Sequence, residues 1–407
     1  MKKIALMSLV TSSLLMAGGY KVPETSTNAV ALGAANVAHN QNSADAAYYN
    51  PAKMIFMSDE NHMEADLTYI GLNKVTYKGT VNGVATDESS ESENFFIPTL
   101  HYVSPKLGDN DTRVGLSIVT PGGLSKRWTK PDGEGIKKAE EFTLKTVEIN
   151  PTVAFKISDK IGFGVGFRIL KSHGVANGIP VPNTVYQFMS GDGLDFGYNL
   201  ALEYKPVKAL EIGVTYRSKI NMHIDGNADL KYPNLLDGTY DGSVSLPLPG
   251  ALNVAVAYTF PTKTTVEFVY ERTYWSAYKS LNFEYTDPTA EAVFGQPKNK
   301  DWSDTNTFRL GLTQQLDKLT VMAGLVIDES PIPNQTIGFE LPGTDTTSLS
   351  LGGRYNINKK IDIGLSALYS MHDNRTINAS DNNDNGLVGE FSDGDVLIIS
   401  AGIGYKF

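Results

Sequence analysis

The stretch Leu210–Asp225 reads LEIGVTYRSKINMHID, and its alternation decides the fold class. Its even-numbered positions are apolar or aromatic apart from Ser218, whereas its odd-numbered positions are polar, charged or glycine. Because successive side chains of a strand point to opposite faces, this stretch predicts one long strand with an apolar face and a polar face. Strands of soluble proteins usually have about five or six residues. A run this long is typical of a tilted strand in a transmembrane barrel.

The same alternation recurs along the chain in Ile161–Ile169, Asp195–Tyr204 and Ile361–Ser370. Charged residues and glycines share one face each time, and apolar residues share the other. In a soluble fold the apolar face would form the core, whereas in an outer-membrane barrel it contacts lipid and the polar face lines the lumen. Strand length, an export signal and unequal loop lengths favour the barrel.

Connections between the predicted strands alternate in length. The short turns are Lys106–Asp111, Ser158–Lys160, Pro206–Ala209, Pro261–Thr264, Asp317–Lys318 and Asn358–Lys360. The long connections are Asn73–Ser92, Leu124–Glu140, His173–Ser190, Gly226–Asp241, Asp287–Trp302, Pro331–Asp345 and Asn374–Gly389. Together they predict about fourteen strands, with the short turns in the periplasm and the long loops outside the cell. The predicted fold class is therefore all-β, a transmembrane antiparallel β-barrel.

The two ends of the chain indicate export to a Gram-negative outer membrane. Lys2 and Lys3 precede the apolar run Ile4–Met16 and the small residues Ala17–Gly19, which predicts a signal peptide over residues 1–17, with residue 19 as the other candidate cleavage position. The alternative is a buried N-terminal strand or helix. The last residues, SAGIGYKF, resemble the signal that the barrel-assembly machinery of Gram-negative bacteria reads, so Phe407 is expected to contact that machinery. The alternative is an edge strand that happens to end in phenylalanine.

Residues 18–57 have no steady period of two and are rich in alanine, asparagine and glycine. A barrel of about fourteen strands encloses a wide lumen, which is an open pore unless something fills it. Segments of small residues can pack as short helices inside such a tube. We therefore expect residues 18–57 to be an N-terminal hatch, or plug, inside a barrel formed by residues 58–407.

Composition and local motifs argue against nucleic-acid binding, metal binding and catalysis. The net charge of −10 argues against nucleic-acid binding, and the absence of cysteine excludes disulfides and thiolate zinc sites. Asp381–Gly386 begins like a calcium loop, but Ser392 stands where that loop needs a glutamate. The histidines show no ligand spacing, and no local signature supports the serine and histidine of a surface phospholipase. We expect no catalytic residue, metal or cofactor.

Several segments together resemble the FadL family of outer-membrane transporters, including its TodX-like branch. They are GYKVPETSTNAVALGAANVA near the start, Asn50-Pro51-Ala52, Thr120-Pro121-Gly122-Gly123-Leu124, Leu246–Tyr258 and Ile327–Ile337. The resemblance implies a fourteen-stranded barrel with an N-terminal hatch. It also implies uptake of long-chain fatty acids or, in the TodX-like branch, aromatic hydrocarbons, without an energy source at the outer membrane.

The resemblance further implies lateral release of ligand through a gap in the barrel wall. Pro121 fits such a gap because proline cannot donate to a strand ladder, and Gly122 and Gly123 permit a bulge beside it. We expect Thr120–Gly123 to form an inward kink in the third strand, with Asn50, Pro51 and Ala52 lying against it. The alternative is that Pro121 merely ends the strand at the outer rim.

A carboxylate ligand needs a basic partner beside an apolar pocket. Alternation places Arg168 and Arg309 on polar strand faces, and the family places basic residues in regions that correspond to Arg168–His173 and Lys298–Arg309. Arg168, His173 and Arg309 are therefore candidate ligand-binding residues. For each arginine the alternative is an ion pair in the lumen.

The third and fourth long loops are unusually apolar and are expected to capture the ligand. Their candidate contacts are Phe188, Met189 and Leu235. The alternative is that these residues only pack the two loops together. The expected partners are a long-chain fatty acid or another hydrophobic small molecule, and outer-membrane lipid with lipopolysaccharide around a monomer. A neutral-hydrocarbon channel, a general porin and an adhesion-type barrel are the alternatives.

Overall fold

The computed structural model describes residues 19–108, 111–128, 139–181 and 184–407. The predicted signal peptide, residues 1–17, lies outside these described residues. Within the described ranges, no helix is both long enough and apolar enough to cross a membrane.

Strands dominate the described chain, and its helices are short. The helices are α1 (Thr27–Leu32), α2 (Ala46–Tyr49), α3 (Pro288–Phe294) and the 3-10 helices Pro51–Phe56, Trp275–Ala277 and Ala379–Asp381. The strands are β1 (His62–Leu72), β2 (Val75–Val81), β3 (Val84–Ser89), β4 (Glu93–Val103), β5 (Arg113–Val119), β6 (Gly123–Arg127), β7 (Glu141–Ser158), β8 (Ile161–Val181), β9 (Val185–Val207), β10 (Leu210–Arg217), β11 (Ile220–Tyr232), β12 (Leu236–Leu248), β13 (Ala251–Thr259), β14 (Thr264–Thr273), β15 (Ser280–Tyr285), β16 (Lys298–Asn299), β17 (Thr305–Gln315), β18 (Leu319–Asp328), β19 (Thr346–Asn356), β20 (Ile361–His372), β21 (Arg375–Ile377), β22 (Leu387–Asp393) and β23 (Val396–Lys406).

One antiparallel sheet of nineteen segments closes into a barrel. Strand β1 pairs with β4 on one side and with the last strand, β23, on the other, so His62 lies opposite both Val103 and Lys406. Five barrel strands are interrupted, each consisting of two segments: β5 with β6, β10 with β11, β12 with β13, β14 with β15, and β16 with β17. The nineteen segments therefore make fourteen strands, which confirms the predicted closed antiparallel barrel.

A second, four-stranded sheet is built from the longest connections, in the order β21-β22-β2-β3. It caps the end of the barrel at which the long loops lie. Its inner side carries fully or almost fully buried aromatic side chains, including Tyr77 and Phe391 with ring centroids 4.8 Å apart, and Phe339 packs on both. Burying these rings fixes the cap on the barrel.

The apolar stripe of Leu210–Asp225 changes sides halfway along the segment, and the expectation of one lipid face along it is wrong. In β10, Glu211 points inward and is buried, while even-numbered residues such as Tyr216 point outward. In β11 the even-numbered residues point inward instead, and Met222 is fully buried. The ladder is interrupted at Ser218 and Lys219, between the two segments, and this break reverses the orientation.

The neighbouring strand reverses in the same way between β12 and β13. Val254 is exposed on the outside of β13, whereas Leu248 at the end of β12 is buried inside. The barrel therefore has two levels. Its lower level has a polar lumen and an apolar exterior, and its upper level encloses an apolar interior.

Residues 19–57 fill the lower level, and most of them are buried. Helix α1 begins where the Ser26 hydroxyl accepts the Ala29 amide, and it ends at Gly33, whose φ of 57° glycine adopts at little cost. Its polar groups bond to inward-facing side chains of well-separated strands, including Asp66 of β1 and Arg354 of β19. These contacts with well-separated strands are consistent with the expected N-terminal hatch, and we refer to residues 19–57 as the hatch.

Candidate ligand-binding site

An apolar cavity of about 100 Å³, partly open to solvent, lies in the upper level of the barrel. Its walls come from β6, β7, β8, β9, β11, β12 and β15, and from the residues next to them. Representative lining side chains are Leu124, Leu144, Met189, Ile224, Leu246 and Phe283. This lining is typical of small-molecule sites, which are mostly apolar with a few polar groups.

Four glycines in register form part of the cavity wall. Gly174, Gly191, Gly226 and Gly242 lie on β8, β9, β11 and β12, and each is directly opposite the next across the sheet. All four line the cavity, so the wall there is bare backbone over four strands. A Cβ on Gly226 would collide with the backbone of Ser190. The glycine row therefore sets the width of the cavity.

One carboxylate and two ammonium groups lie at the edge of this cavity. Glu340 lines it and forms an ion pair with the buried Lys300. Burial alone would raise the pKa of the Glu340 carboxyl, but the Lys300 ammonium outweighs burial and holds this pKa below its ordinary value. The Lys298 ammonium lies 5.6 Å from the ring centroid of Phe283, a lining residue, and has no ion pair among the described residues.

The third barrel strand is interrupted between β5 and β6, at Thr120–Gly122. The N-terminal residues Tyr20–Val22 occupy this break: the Val22 amide donates to the Pro121 carbonyl at 2.9 Å, and the Gly123 amide donates to the Tyr20 carbonyl at 2.8 Å. The third strand is thus interrupted at the residues where an inward kink is expected, but a different segment lies against the interruption.

The Asn50-Pro51-Ala52 segment packs on β8, so its expected place against the kink is wrong. A Cβ on Gly164 would lie 2.6 Å from the Ala52 nitrogen, so only a glycine lets the 3-10 helix approach the strand this closely. The Asn50 amide donates to the carboxylate of Glu203 at 2.9 Å. This segment fixes the hatch to the wall rather than closing the break.

Both candidate arginines are held by lumen carboxylates. The Arg168 guanidinium pairs with Glu148 at 2.8 Å and donates to the Ser218 carbonyl at 2.6 Å. The Arg309 guanidinium pairs with Glu271 at 3.4 Å and donates to the hatch carbonyl of Gly33 at 3.0 Å. Neither arginine lines the apolar cavity. Both arginines therefore form ion pairs in the lumen, which was the alternative to a ligand-binding role.

Of the other candidates, only Met189 lines the cavity. His173 lies on the outward side of β8, 3.3 Å from Asp192, because its neighbour Gly174 faces the lumen. Phe188 stacks on Tyr186 on the opposite face from Met189.

Leu235, the remaining candidate, is 57% exposed at the tip of the β11–β12 hairpin. The sequence reasoning missed Glu340 and the glycine row and named Lys300 only as part of the range Lys298–Arg309, because no local pattern shows which residues become neighbours across strands.

A family model described as "Outer membrane protein transport protein (OMPP1/FadL/TodX)" matches residues 8–407. The chain belongs to this family. It is thus an outer-membrane transporter of hydrophobic compounds with a transmembrane β-barrel.

Curated relatives span most of the chain. The "Long-chain fatty acid transport protein" of Escherichia coli O6:H1 is 25% identical over 79% of this chain and 80% of its own length. "Outer membrane protein P1" of Haemophilus influenzae Rd is 23% identical over 91% of this chain and 90% of its own length.

Solved structures of the FadL/TodX family share the fold. A Pseudomonas aeruginosa FadL homologue superimposes with a TM-score of 0.82 and 21% identity, covering 96% of this chain and 100% of that one. The Pseudomonas putida toluene transporter TodX gives a TM-score of 0.72 and 14% identity, covering 94% of this chain and 98% of that one. At these identities the likeness concerns the fold alone.

Proposed function

We propose that this protein takes up long-chain fatty acids through the outer membrane. The acyl chain enters the apolar cavity of the upper level, its carboxylate stays at the lysine-bearing edge, and the ligand leaves sideways through the break in the third strand. The observation that carries this proposal is an apolar cavity with an excess of positive charge at its edge.

The cavity suits an acyl chain because exposing such a chain to water is costly. Each buried methylene contributes about 0.8 kcal/mol, so ten methylenes against apolar walls contribute roughly 8 kcal/mol. The bare backbone at Gly191 and Gly226 widens the cavity for this chain. A water-filled porin lumen would offer none of this free energy.

Charge at the cavity edge suits a carboxylate. Lys298 and Lys300 bring two positive charges, and Glu340 brings one negative charge, so this edge keeps a net positive charge. An incoming carboxylate neutralises that excess and can exchange with Glu340 for the Lys300 ammonium. Hydrogen bonds between charged groups are worth about 1.5–3 kcal/mol each.

The proposed route of lateral release is the break at Thr120–Gly122, which lies on the hatch side of the cavity. Leu248 connects the two places: it belongs to the same buried cluster as Leu144 and Ile224, which line the cavity, and its side chain lies 3.1 Å from a Cβ placed on Gly122. A ligand that moves along this cluster remains against apolar side chains until it reaches the wall.

A neutral hydrocarbon is the second candidate ligand, and one observation favours it. Lys300 already has a carboxylate partner in Glu340, and the rest of the cavity lining is almost entirely apolar. A ligand without charge would leave that ion pair intact.

Equilibrium binding of tritiated oleate to the detergent-extracted protein tests the two candidates. The substitution Lys298→Ala should weaken oleate binding about tenfold or more, since a charge-assisted contact is lost. Glu340→Gln should strengthen it, because the competing carboxylate is removed. Lys231→Ala, at a half-buried position of the β11–β12 hairpin, is the matched control and should leave oleate affinity unchanged.

Toluene binding to the same variants separates the outcomes. If neither Lys298→Ala nor Glu340→Gln changes oleate affinity while toluene binds the wild type saturably, the protein is a hydrocarbon channel. The fatty-acid proposal then fails.

A further inference from the structure

On the hatch side of the cavity, three buried aromatic side chains enclose the ring of Tyr20. Its ring centroid lies 4.9 Å from Trp275, 5.9 Å from Trp302 and 6.3 Å from Tyr278. Trp302 also contacts Trp275 and Tyr278 with centroids 4.9 Å apart. We call Trp275, Tyr278 and Trp302 the aromatic box. Edge-to-face packing of this kind favours an aromatic occupant over an aliphatic one.

The box also has a polar end. The Tyr20 hydroxyl donates to the main-chain carbonyl of Pro247 in β12. Both residues are buried, so an occupant without a hydroxyl would lose this hydrogen bond in a place that excludes water. A ring with one hydrogen-bond donor therefore fits the box better than an unsubstituted ring.

Tyr20 is held in the box by a short and narrow stretch of chain. Gly19 passes directly over the rings, and a Cβ there would lie 2.7 Å from the Cζ2 atom of Trp275 and 2.9 Å from the ring of Trp302. After Tyr20, the backbone bonds to Pro121 and Gly123 and the ion pair of Lys21 with Glu271 at 2.6 Å link the segment to the barrel wall. Tyr20 therefore resembles a tethered ligand, because its ring fills the box while the residues that follow it hold the segment to the wall.

The box is continuous with the apolar cavity. Tyr278 belongs to both, since it forms one side of the box and also lines the cavity. A small aromatic molecule in the cavity therefore meets the box without returning to water.

We propose that the aromatic box is a second binding site, specific for phenols, which Tyr20 occupies in the resting protein. A phenol from the cavity takes the place of the Tyr20 ring, stacks among Trp275, Tyr278 and Trp302, and donates its hydroxyl to the Pro247 carbonyl. This site is separate from the acyl-chain cavity and does not depend on the lysines at the cavity edge.

Tryptophan fluorescence tests the proposal, because two of the three tryptophans form the box. The probe is p-cresol, which is the tyrosine side chain without its backbone, with toluene as the ligand that lacks the hydroxyl. Excitation at the red edge of tryptophan absorption avoids the phenol. In the wild-type protein, p-cresol should give a saturable change, and toluene should bind about tenfold more weakly because it leaves the carbonyl unpaired.

Variants of Tyr20 test the self-occupancy. Tyr20→Phe keeps the ring but loses the hydroxyl bond, so p-cresol should compete about tenfold better. Tyr20→Ala should raise its affinity further. Tyr77→Ala removes an equally buried tyrosine from the cap and should leave p-cresol affinity unchanged.

Two results would overturn the proposal. If only Tyr20→Ala binds p-cresol, while the wild type and Tyr20→Phe do not, the ligand merely fills a cavity made by deletion. If toluene binds the wild type as well as p-cresol does, the site does not recognise a phenol. Loss of oleate binding in lysine variants bears on the proposed fatty-acid uptake alone.

Discussion

A single carboxylate of the barrel wall holds the middle of the hatch, and its removal should loosen that segment selectively. The Glu267 carboxylate of β14 accepts three consecutive backbone amides: those of Val37 at 2.8 Å, Ala38 at 2.7 Å and His39 at 3.1 Å. Glu267, Val37 and Ala38 are each at most 4% exposed, so water does not reach the Val37 and Ala38 amides in the native state. The substitution Glu267→Ala leaves all three donors without an acceptor.

The size of the effect follows from those three bonds. A buried donor left without a partner costs about 1–3 kcal/mol. Three neighbouring donors are not independent, and water enters the space that the side chain leaves, so we expect about 3–5 kcal/mol in total. Since about 1.4 kcal/mol corresponds to a factor of ten, hydrogen exchange at these amides should accelerate by about two to three and a half orders of magnitude.

Hydrogen exchange followed by mass spectrometry on the detergent-extracted protein measures this directly. Peptides that cover Val37–His39 should lose protection in Glu267→Ala, whereas peptides from the barrel strands should not. Glu267→Gln is a graded control: one oxygen accepts both Val37 and Ala38, so the amide side chain retains two of the three bonds and should lose about tenfold in protection. Glu284→Ala, at an exposed wall position, should have no effect. Unchanged protection in Glu267→Ala would refute the idea that this carboxylate holds the hatch.

Three further predictions concern the lumen, the break and the outer loops. Arg168→Ala should lower the temperature at which the barrel unfolds in a heat-modifiability gel, because Glu148 loses a buried partner. The same substitution should leave oleate affinity unchanged, and a selective loss of oleate binding would contradict this prediction. Gly122→Val should displace the N-terminal segment from the third-strand break, since a Cβ at this position would lie 2.9 Å from the Tyr20 carbonyl oxygen. The conductance of the protein in a planar bilayer should then rise, and unaltered conductance would count against this contact. Because Lys300 lowers the pKa of Glu340, the ion pair stabilises the fold fully above the unfolded pKa of about 4.3, and this stabilisation is lost as pH falls through the lower folded pKa. Proteolysis of the loop that carries Glu340 should therefore begin only below about pH 4. Cleavage of that loop already at pH 6 would be inconsistent with the ion pair.

Alternation predicted the barrel well because the membrane and the lumen impose opposite chemistry on the two faces of every strand. The short turns and long connections predicted the number of strands, since each of them ends a ladder. The polar faces that carry Arg168 and Arg309 do point inward. Their roles could not be predicted, because ion pairing with Glu148 and Glu271 depends on which strands become neighbours.

The candidate site was less accessible to sequence reasoning than the fold. Gly174 and Gly242 are far apart in the chain and look like ordinary strand glycines. Only the register of four strands places them in one row beside the cavity. Likewise, the sequence indicates that Pro121 interrupts a strand, but it does not show that Tyr20 fills the interruption.

The sequence by itself determined the period of the strands, their approximate number and the separation of an N-terminal segment from the barrel, because these depend on the order of apolar, polar and turn residues. The tertiary structure alone decided which way each apolar stripe faces. Leu210–Asp225 keeps a single phase in sequence, yet its stripe faces outward in β10 and into the cavity in β11. A period of two defines two faces without saying which of them meets lipid. That choice depends on the strands paired on either side and on the break at Ser218, where the ladder is interrupted and the stripe turns from the membrane to the ligand cavity.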